Sequence, residues 1–221
     1  MIQFFHVTRK YSQGAPALTD VSAHIEKGEF VFLTGPSGAG KTTFLKMVFR
    51  DDVPTSGQVV VNNEDVATMP ARRIPYLRRR VGVVFQDFKL LPRKTVFENV
   101  AFATQVIGLS RKEQRSRTYQ VLEMLGLNHR LHNYPEQVSG GEQQRMAIAR
   151  ALVNKPLILL ADEPTGNLDP DLAQEIMGLF RDINSHGTTV IIATHDRDMI
   201  RRMGRRVVAL EHGRVVAAAV A

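Results

Sequence analysis

Cysteine is absent from the 221 residues, and no long apolar run is present. Without cysteine, the chain can form neither a disulfide nor a cysteine-liganded metal site, which fits a reducing compartment. The chain start, Met1 to His6, lacks the basic and apolar segments of a secretory signal. The apolar runs are far shorter than the about 20 residues that cross a bilayer. We therefore expect a soluble protein, or one that another component holds at a membrane.

Acidic residues are fewer than basic ones: the chain has 22 Asp and Glu and 29 Lys and Arg, for a net charge of +7. The arginines cluster at positions 72–73, 78–80, 111–117 and 201–206. Such clusters are consistent with solvated helix faces, and equally with attraction to an anionic surface, either lipid headgroups or nucleic acid. The charge alone does not separate these interpretations, but the motifs below favour possible contact with anionic lipid over nucleic acid.

The chain shows no repeat, low-complexity segment or linker, so we expect a single domain over residues 1–221. Short β-branched runs alternate with helical patterns, which is typical of an α/β domain with a mostly parallel sheet. Residues 88–154 have little strand signal and predict a helical subdomain inserted into a core formed by residues 1–87 and 155–221. The buried strands are predicted at Phe30 to Thr34, Val81 to Phe85, Leu157 to Ala161 and Thr189 to Thr194.

A phosphate-binding P-loop follows the first of these strands. Its glycines let successive backbone N–H groups point at phosphate oxygens, and the helix that begins near Lys41 adds its positive end. We expect Lys41 to neutralise the β and γ phosphates and Thr42 to bind Mg²⁺. The candidate nucleotide-binding residues here are Gly35, Pro36, Ser37, Gly38, Ala39, Gly40, Lys41, Thr42 and Thr43.

Two carboxylates follow a second apolar strand, Leu157 to Ala161. Buried carboxylates are costly unless they meet a cation, so Asp162 is a candidate Mg²⁺ ligand. Glu163 is a candidate general base that polarises the attacking water.

The stretch from Val138 to Gln143, sequence VSGGEQ, resembles the signature motif of ABC ATPases. Ser139 is a predicted helix N-cap with Glu142 at the capping-box position, and Gly140 and Gly141 expose the first N–H groups of the helix. This helix end is a second anion site. The resemblance implies a homodimer in the ATP-bound state, in which the signature of one chain closes over the P-loop nucleotide of the other. It also implies a P-loop NTPase core with an antiparallel β portion.

Four further residues match the family's motifs in order along the chain. Tyr11 matches the aromatic residue that stacks on adenine, and Gln86 matches the loop glutamine that reaches Mg²⁺ and water. Asp169 matches the loop between the two active sites, and His195 matches the histidine that contacts the γ-phosphate. The resemblance therefore implies an Mg²⁺-dependent ATPase whose catalytic residues are Lys41, Gln86, Glu163 and His195.

Within the family, residues 75–91, 95–100 and 161–169 resemble the FtsE group of cell-division ATPases, whose membrane partner is FtsX. This resemblance implies a peripheral subunit at the cytoplasmic face of the cell membrane, with the partner docking near Gln86 to Phe102. In that group, the ATP cycle controls peptidoglycan hydrolysis through the partner. One departure is Val48 to Asp52, where many relatives have a glycine; we expect it to alter local packing and not the ATP site.

Three alternatives stay open at this point. Residues 161–169 also resemble the ATPases of lipoprotein-release and macrolide-efflux exporters. A nucleic-acid-associated ABC ATPase is compatible with the charge, but the coiled-coil, zinc or tandem-domain insertions of such proteins are not visible. A scaffold that binds ATP without hydrolysis is disfavoured by Glu163 and His195.

Overall fold

The computed structural model describes residues 1–12 and 15–220 and arranges them around two sheets. The strands are β1 (Ile2–Arg9), β2 (Leu18–Ile25), β3 (Phe30–Thr34), β4 (Ser56–Val61), β5 (Glu64–Asp65), β6 (Val81–Val84), β7 (Ile158–Asp162), β8 (Thr189–Ala193), β9 (Arg206–Glu211) and β10 (Arg214–Val220). The helices are α1 (Lys41–Val48), α2 (Ile74–Arg79), α3 (Val96–Val106), α4 (Arg111–Met124), α5 (Gly140–Leu152), α6 (Pro170–Ser185) and α7 (Arg197–Met203).

The larger sheet has the strand order β10-β9-β3-β8-β7-β6, and all of its pairs are parallel except β10 with β9. Its central strands are almost continuously buried, as expected for a parallel sheet covered on both faces. The predicted strands agree with β3, β6, β7 and β8 to within one residue. The smaller sheet is antiparallel, with the order β2-β1-β4-β5.

Two hydrophobic clusters cover the two faces of the larger sheet, because alternate residues of a strand point to opposite faces. Phe32, Leu159 and Ile192 pack in the cluster that includes residues of helices α3 to α7. Leu33, Leu160 and Ile191 pack on the other face, against α1 and the antiparallel sheet. This three-layer α/β arrangement confirms the predicted fold class.

None of the described residues between 85 and 157 belongs to a strand. This stretch holds α3, α4 and α5, and each of these helices begins with a capping box: Thr95 with Glu98, Ser110 with Glu113, and Ser139 with Glu142. The helices share the first hydrophobic cluster with the sheet. The bounds of a separate helical subdomain at residues 88–154 stay a prediction. In the described part of the chain, no helix has the length and apolar character needed to cross a membrane.

Candidate functional site

The P-loop lies between the carboxyl end of β3 and the first turn of α1. At Gly40 the backbone is left-handed, with φ of 104°, and a Cβ atom would lie 2.4 Å from the Ala17 carbonyl oxygen. Only glycine fits there without strain. Lys41 folds back over the loop, and its Nζ donates to the carbonyl oxygens of Gly35 at 2.8 Å and Pro36 at 3.2 Å. The loop and its lysine thereby form one wall of a cleft.

This cleft has a volume of about 500 Å³ and lies where the carboxyl ends of β3, β6, β7 and β8 meet. Ligands bind at this edge of parallel α/β sheets. The cleft collects most of the sequence-predicted site residues from four separate parts of the chain. Its lining consists of Ala17, Pro36, Ser37, Gly38, Ala39, Gly40, Lys41, Thr42, Thr43, Gln86, Asp162, Glu163 and His195.

Asp162 is the last residue of β7 and faces the first turn of α1. The Thr42 hydroxyl donates to its Oδ2 at 2.8 Å. Burial raises the pKa of the Asp162 carboxyl; the charge of Glu163 also raises it, while the Thr42 hydrogen bond opposes the change. A partly buried carboxylate beside a hydroxyl is a combination of oxygen ligands that suits a hard divalent cation.

Glu163 follows Asp162 in a strained backbone conformation, with φ of 49°. Its N–H donates to the Ala193 carbonyl oxygen of β8 at 2.9 Å, so the backbone is held on the sheet. Its carboxylate oxygens lie 3.0 and 3.1 Å from Nδ1 of His195, and Oε1 is 3.8 Å from Nζ of Lys41. The side chain of Glu163 is 13% exposed and that of His195 is 73% exposed. The two therefore form a contact at the mouth of the cleft, with the carboxylate inside.

Gln86 follows β6 and lines the same cleft. The next turn is unusual, because Phe88 and Lys89 both have positive φ, 56° and 48°. The guanidinium of Arg150, from α5, donates to the carbonyl oxygens of Lys89 at 2.5 Å and Phe88 at 2.7 Å. Burial lowers the pKa of Arg150, although a guanidinium stays charged in proteins. Arg150 thereby ties the turn after Gln86 to the helix that begins at the signature.

Tyr11 does not line the cleft but lies at its edge, where its hydroxyl is 3.3 Å from that of Thr43. The hydroxyl also donates to Oδ2 of Asp52 at 2.6 Å. The sequence had suggested that the Val48 to Asp52 departure affects packing away from the ATP site. The structure instead places Asp52 in direct contact with the candidate adenine-stacking residue.

The signature residues lie elsewhere, and none of them lines the P-loop cleft. Ser139 caps α5: its hydroxyl accepts from the Glu142 N–H at 3.3 Å, and the Glu142 carboxylate accepts from the Ser139 N–H at 2.8 Å. The bond from the Ser139 backbone is the largest cause that lowers the pKa of Glu142 to about 2, and Arg130 adds to it at 2.9 Å. Ser139 and Gly140 are exposed.

Gly141 is buried, because α5 begins against α6. A Cβ at this position would lie 2.5 Å from Cδ2 of Leu172. Asp169 caps α6, and its carboxylate accepts from the Leu172 N–H at 3.0 Å. Asp169 is exposed and, like the signature, lies outside the P-loop cleft.

The structure thus brings together most of the predicted P-loop, Mg²⁺ and catalytic residues, and keeps Ser139, Gly140, Gly141 and Asp169 apart from them. Sequence reasoning missed Arg9, Asp52, Arg130 and Arg150, which position the predicted residues. Their contacts join positions that are 12 to 62 residues apart, and no local pattern signals them.

The family model described as ABC transporter matches residues 18–166. The chain is 50% identical over 216 residues to the cell division ATP-binding protein FtsE of Bacillus subtilis (strain 168), covering 98% of this chain and 95% of the relative. It is 52% identical over 217 residues to FtsE of Mycobacterium tuberculosis (strain ATCC 25618 / H37Rv), covering 98% and 94%.

Among solved structures, the chain is similar to the ATP-binding cassette MJ0796, in a dimeric post-hydrolysis state bound to ADP and Pi. The TM-score is 0.90 and the identity 38%, with 100% of this chain and 98% of the other covered. The family match, the near full-length relatives and the assembled P-loop cleft agree with one another. The chain is an ATPase that belongs to the ABC family and, within it, to the FtsE group of ATP-binding proteins.

Proposed function

We propose that this chain is the ATP-hydrolysing subunit of a membrane complex that acts in cell division. Closing of an ATP-bound homodimer would move an integral membrane partner of the FtsX type, and through it control peptidoglycan hydrolysis. The subunit would work as a peripheral protein on the cytoplasmic face of the cell membrane. Similarity to FtsE proteins over nearly the whole chain supports this role over that of a lipoprotein or macrolide exporter.

The proposed dimer rests on one observation: the exposed end of α5 at Ser139 and Gly140 does not line the P-loop cleft of its own chain. Each chain therefore carries two phosphate-binding surfaces that do not meet. A head-to-tail pair of chains would place the signature of each over the cleft of the other and complete two sites. The dimeric ADP and Pi complex of MJ0796 supports this arrangement.

Within each site, we assign the roles by contact and position. Lys41 and the N–H groups of residues 37–42 would bind the β and γ phosphates, on the positive end of α1. Glu163, held on the sheet and facing the cleft, would orient and polarise the attacking water. His195 would hold the Glu163 carboxylate and contact the γ-phosphate from the mouth of the cleft.

The residues at the end of β7 fit a magnesium ion. Thr42 and Asp162 offer oxygen atoms 2.8 Å apart, and Gln86 lines the same cleft. In the described residues, no group of three or more His, Cys, Asp and Glu side chains is arranged to hold a metal. This fits Mg²⁺, which proteins bind through one or two carboxylates together with substrate phosphates. When bound, Mg²⁺ would neutralise charge that develops on the phosphate oxygens.

The partner would dock beside Gln86 to Phe102. A groove of about 480 Å³ lies between α3 and α4, where Phe97 and Tyr119 form its aromatic floor and Arg111, Arg115 and His132 its polar edge. The phenyl ring of Phe102 is 42% exposed nearby. An amphipathic helix with acidic flanks would fit this combination of apolar floor and basic edge. Phe88, Leu90 and Phe97 also pack on the hydrophobic core, so they are less accessible than Phe102.

Co-purification from membranes tests the proposed complex. The wild-type chain should carry a single integral membrane partner with it, and Phe102→Glu should lose that partner while the protein still binds ATP. Tyr76→Glu is the matched control, since Tyr76 is 58% exposed on α2, outside the groove. Recovery of the partner with Phe102→Glu would exclude the exposed surface at Phe102, beside the groove, from the docking site.

Mixing two inactive variants tests the dimer. Lys41→Ala destroys the P-loop surface and Ser139→Glu places a negative charge on the signature surface. Each homodimer should be inactive, but a mixed dimer contains one intact site, because the P-loop of one chain meets the signature of the other. ATPase activity should therefore reappear on mixing. If it stays absent while ATP-dependent mixed dimers form, the head-to-tail site is not sufficient for hydrolysis.

A further inference from the structure

Three side chains from separate parts of the chain meet beside the P-loop helix. Asp52, in the turn after α1, is only 10% exposed, and Arg9, at the end of β1, is 23% exposed. Arg9 binds both oxygens of Asp52, with Nη2 to Oδ1 at 2.7 Å and Nε to Oδ2 at 3.1 Å. Oδ2 also accepts the Tyr11 hydroxyl at 2.6 Å. The carboxylate therefore holds a guanidinium and a phenol at once.

The same guanidinium lies over one face of the Tyr11 ring, with its carbon 4.7 Å from the ring centroid. This distance is within the range of a cation–π contact. A planar group can then stack on Tyr11 only from the opposite face. Arg9 and Asp52 together fix which face of the ring is available and how the ring is tilted.

The network is attached to the P-loop. The Tyr11 hydroxyl is 3.3 Å from that of Thr43, in the first turn of α1. The far end of the Tyr11 loop touches the P-loop as well, because Ala17 packs against Gly40. Val53 donates its N–H to Oδ1 of Asp52 at 2.8 Å, which fixes the carboxylate on its own turn. The ring therefore has a defined position relative to the phosphate-binding surface.

We infer that Asp52 and Arg9 are positioning residues for the adenine of ATP, acting through Tyr11: the carboxylate tethers the phenol and the guanidinium covers one face of the ring. The inference rests on the proposed stacking of Tyr11 on adenine and adds the residues that set its geometry. Positioning matters here because a ring that is free to rotate must be ordered at the moment of binding, which weakens affinity.

The role differs from that of an ordinary surface ion pair. An ion pair that only stabilises the fold would affect every ligand of the cleft alike. The tether acts on the base alone, because neither Arg9 nor Asp52 lines the phosphate cleft. Loss of the tether should therefore weaken the binding of ATP and spare that of inorganic tripolyphosphate, which has the phosphates without the base.

The test is calorimetric titration of the full-length protein with ATP and with tripolyphosphate, each in the presence of Mg²⁺. Tyr11→Phe keeps the ring and removes the hydroxyl that contacts Asp52 and Thr43, and Asp52→Ala removes the tether while the hydroxyl stays. Each should weaken ATP binding about 3- to 10-fold, and the double variant should be no weaker than the worse single one. Tripolyphosphate affinity should stay unchanged in all three. Asp51→Ala is the matched control, since the neighbouring carboxylate faces Lys46 in solvent.

Tyr11→Ala tests the stacking of Tyr11 on adenine separately from the tether at its hydroxyl. Loss of the ring should weaken ATP binding about 10- to 100-fold if Tyr11 stacks on adenine. If Tyr11→Ala has this effect while Tyr11→Phe and Asp52→Ala bind ATP like the wild type, the tether is refuted and stacking stands. If Tyr11→Ala also leaves ATP affinity unchanged, stacking itself is refuted. Equal losses for ATP and tripolyphosphate in Asp52→Ala would assign a purely structural role and overturn the inference.

Discussion

The two proposed phosphate-binding surfaces of this chain are built from the same backbone element and differ in the side chains around it. Both are the N-terminal ends of helices, α1 at the P-loop and α5 at the signature. The end of α1 is surrounded by Lys41, Asp162, Glu163 and His195. The end of α5 offers a hydroxyl and exposed N–H groups, and its nearest ionised group, Glu142, serves the helix cap.

Because of this difference, we expect the two surfaces to act in different steps of the ATP cycle. In the proposed roles, the P-loop cleft binds phosphate, holds a cation and orients water, so it would retain a nucleotide by itself. The signature end, where the Glu142 carboxylate is engaged in the helix cap, would only add hydrogen bonds to a phosphate that is already bound. Hydrolysis would then depend on when the signature of the partner chain reaches the bound phosphate. Substitutions at each of the two surfaces test this division of steps.

Removing the Glu163 carboxylate, the proposed base, should strongly reduce turnover and leave ATP binding unchanged. Glu163→Gln keeps the shape of the side chain and loses the carboxylate that orients water, so we expect turnover to fall about 10²- to 10⁴-fold. ATP affinity should be retained, and the ATP-bound dimer should accumulate because it can no longer be consumed. Steady-state ATPase assays and ATP-dependent gel filtration measure both. Glu175→Gln, on the exposed part of α6, is the control; retained turnover in Glu163→Gln would exclude this residue as the base.

Blocking the signature surface should lower turnover and leave ATP binding at the P-loop cleft unchanged. Ser139→Glu adds a negative charge where a terminal phosphate would arrive, so turnover should fall about 10- to 100-fold. The affinity of the monomer for ATP should not change, because Ser139 is outside the P-loop cleft. Glutamate at Ser110, which caps α4 away from the cleft, is the control. A parallel loss of monomer affinity would break the proposed division of steps.

Neutralising the partly buried Asp162 carboxylate should raise the melting temperature of the nucleotide-free protein and remove its proposed role in Mg²⁺ binding. Because burial raises the pKa of Asp162, its ionised form opposes folding at pH values above that raised pKa. Asp162→Asn removes this cost, so the nucleotide-free protein should melt about 1 to 4 °C higher. The gain in ATP affinity on adding Mg²⁺ should disappear. Thermal melts with and without Mg²⁺ and ATP measure both, and a lower melting temperature without ligand would contradict the prediction.

The signature cap should contribute a small, pH-dependent stability. The folded protein lowers the pKa of Glu142 from 4.5 to about 2, so the ionised cap stabilises the folded state fully above pH 4.5 and loses this contribution as the pH falls toward 2. Glu142→Gln keeps a cap acceptor but loses the charge facing Arg130. The difference in unfolding free energy from wild type should shrink on acidification. Glu98→Gln, in the capping box of α3, should show a smaller difference, because the Glu98 carboxylate is stabilised by Thr95 and the nearby charge of Lys94 and not by an arginine of the described residues.

Sequence reasoning recovered the features that depend on neighbours along the chain. The four buried strands are continuous apolar runs, and the cap at Ser139 follows from two residues three positions apart, Ser139 and Glu142. The individual strands of the antiparallel sheet were not located, because β1 has register shifts after Phe4 and a positive φ at His6 that break its alternation. Strand order, and the placement of Gln86 beside Glu163, required the packing of the whole sheet.

The side chains that position the site could not be predicted for the same reason. Asp52 meets Arg9 across 43 residues, and Arg150 meets Phe88 across 62. Either arginine could equally have been a solvated surface charge, which is one of the two interpretations that the sequence leaves open for the basic clusters. Only the tertiary fold selects which few arginines of the chain have a buried partner.

The close packing of Gly141 on Leu172 has a consequence for how two active sites could exchange information. A Cβ at Gly141 would lie 2.5 Å from Cδ2 of Leu172, so the first turns of α5 and α6 pack closely, with the Leu172 side chain between them. The cap residue Asp169 holds the same Leu172 through its N–H. A displacement of Asp169 would therefore reach the signature through a single residue, Leu172.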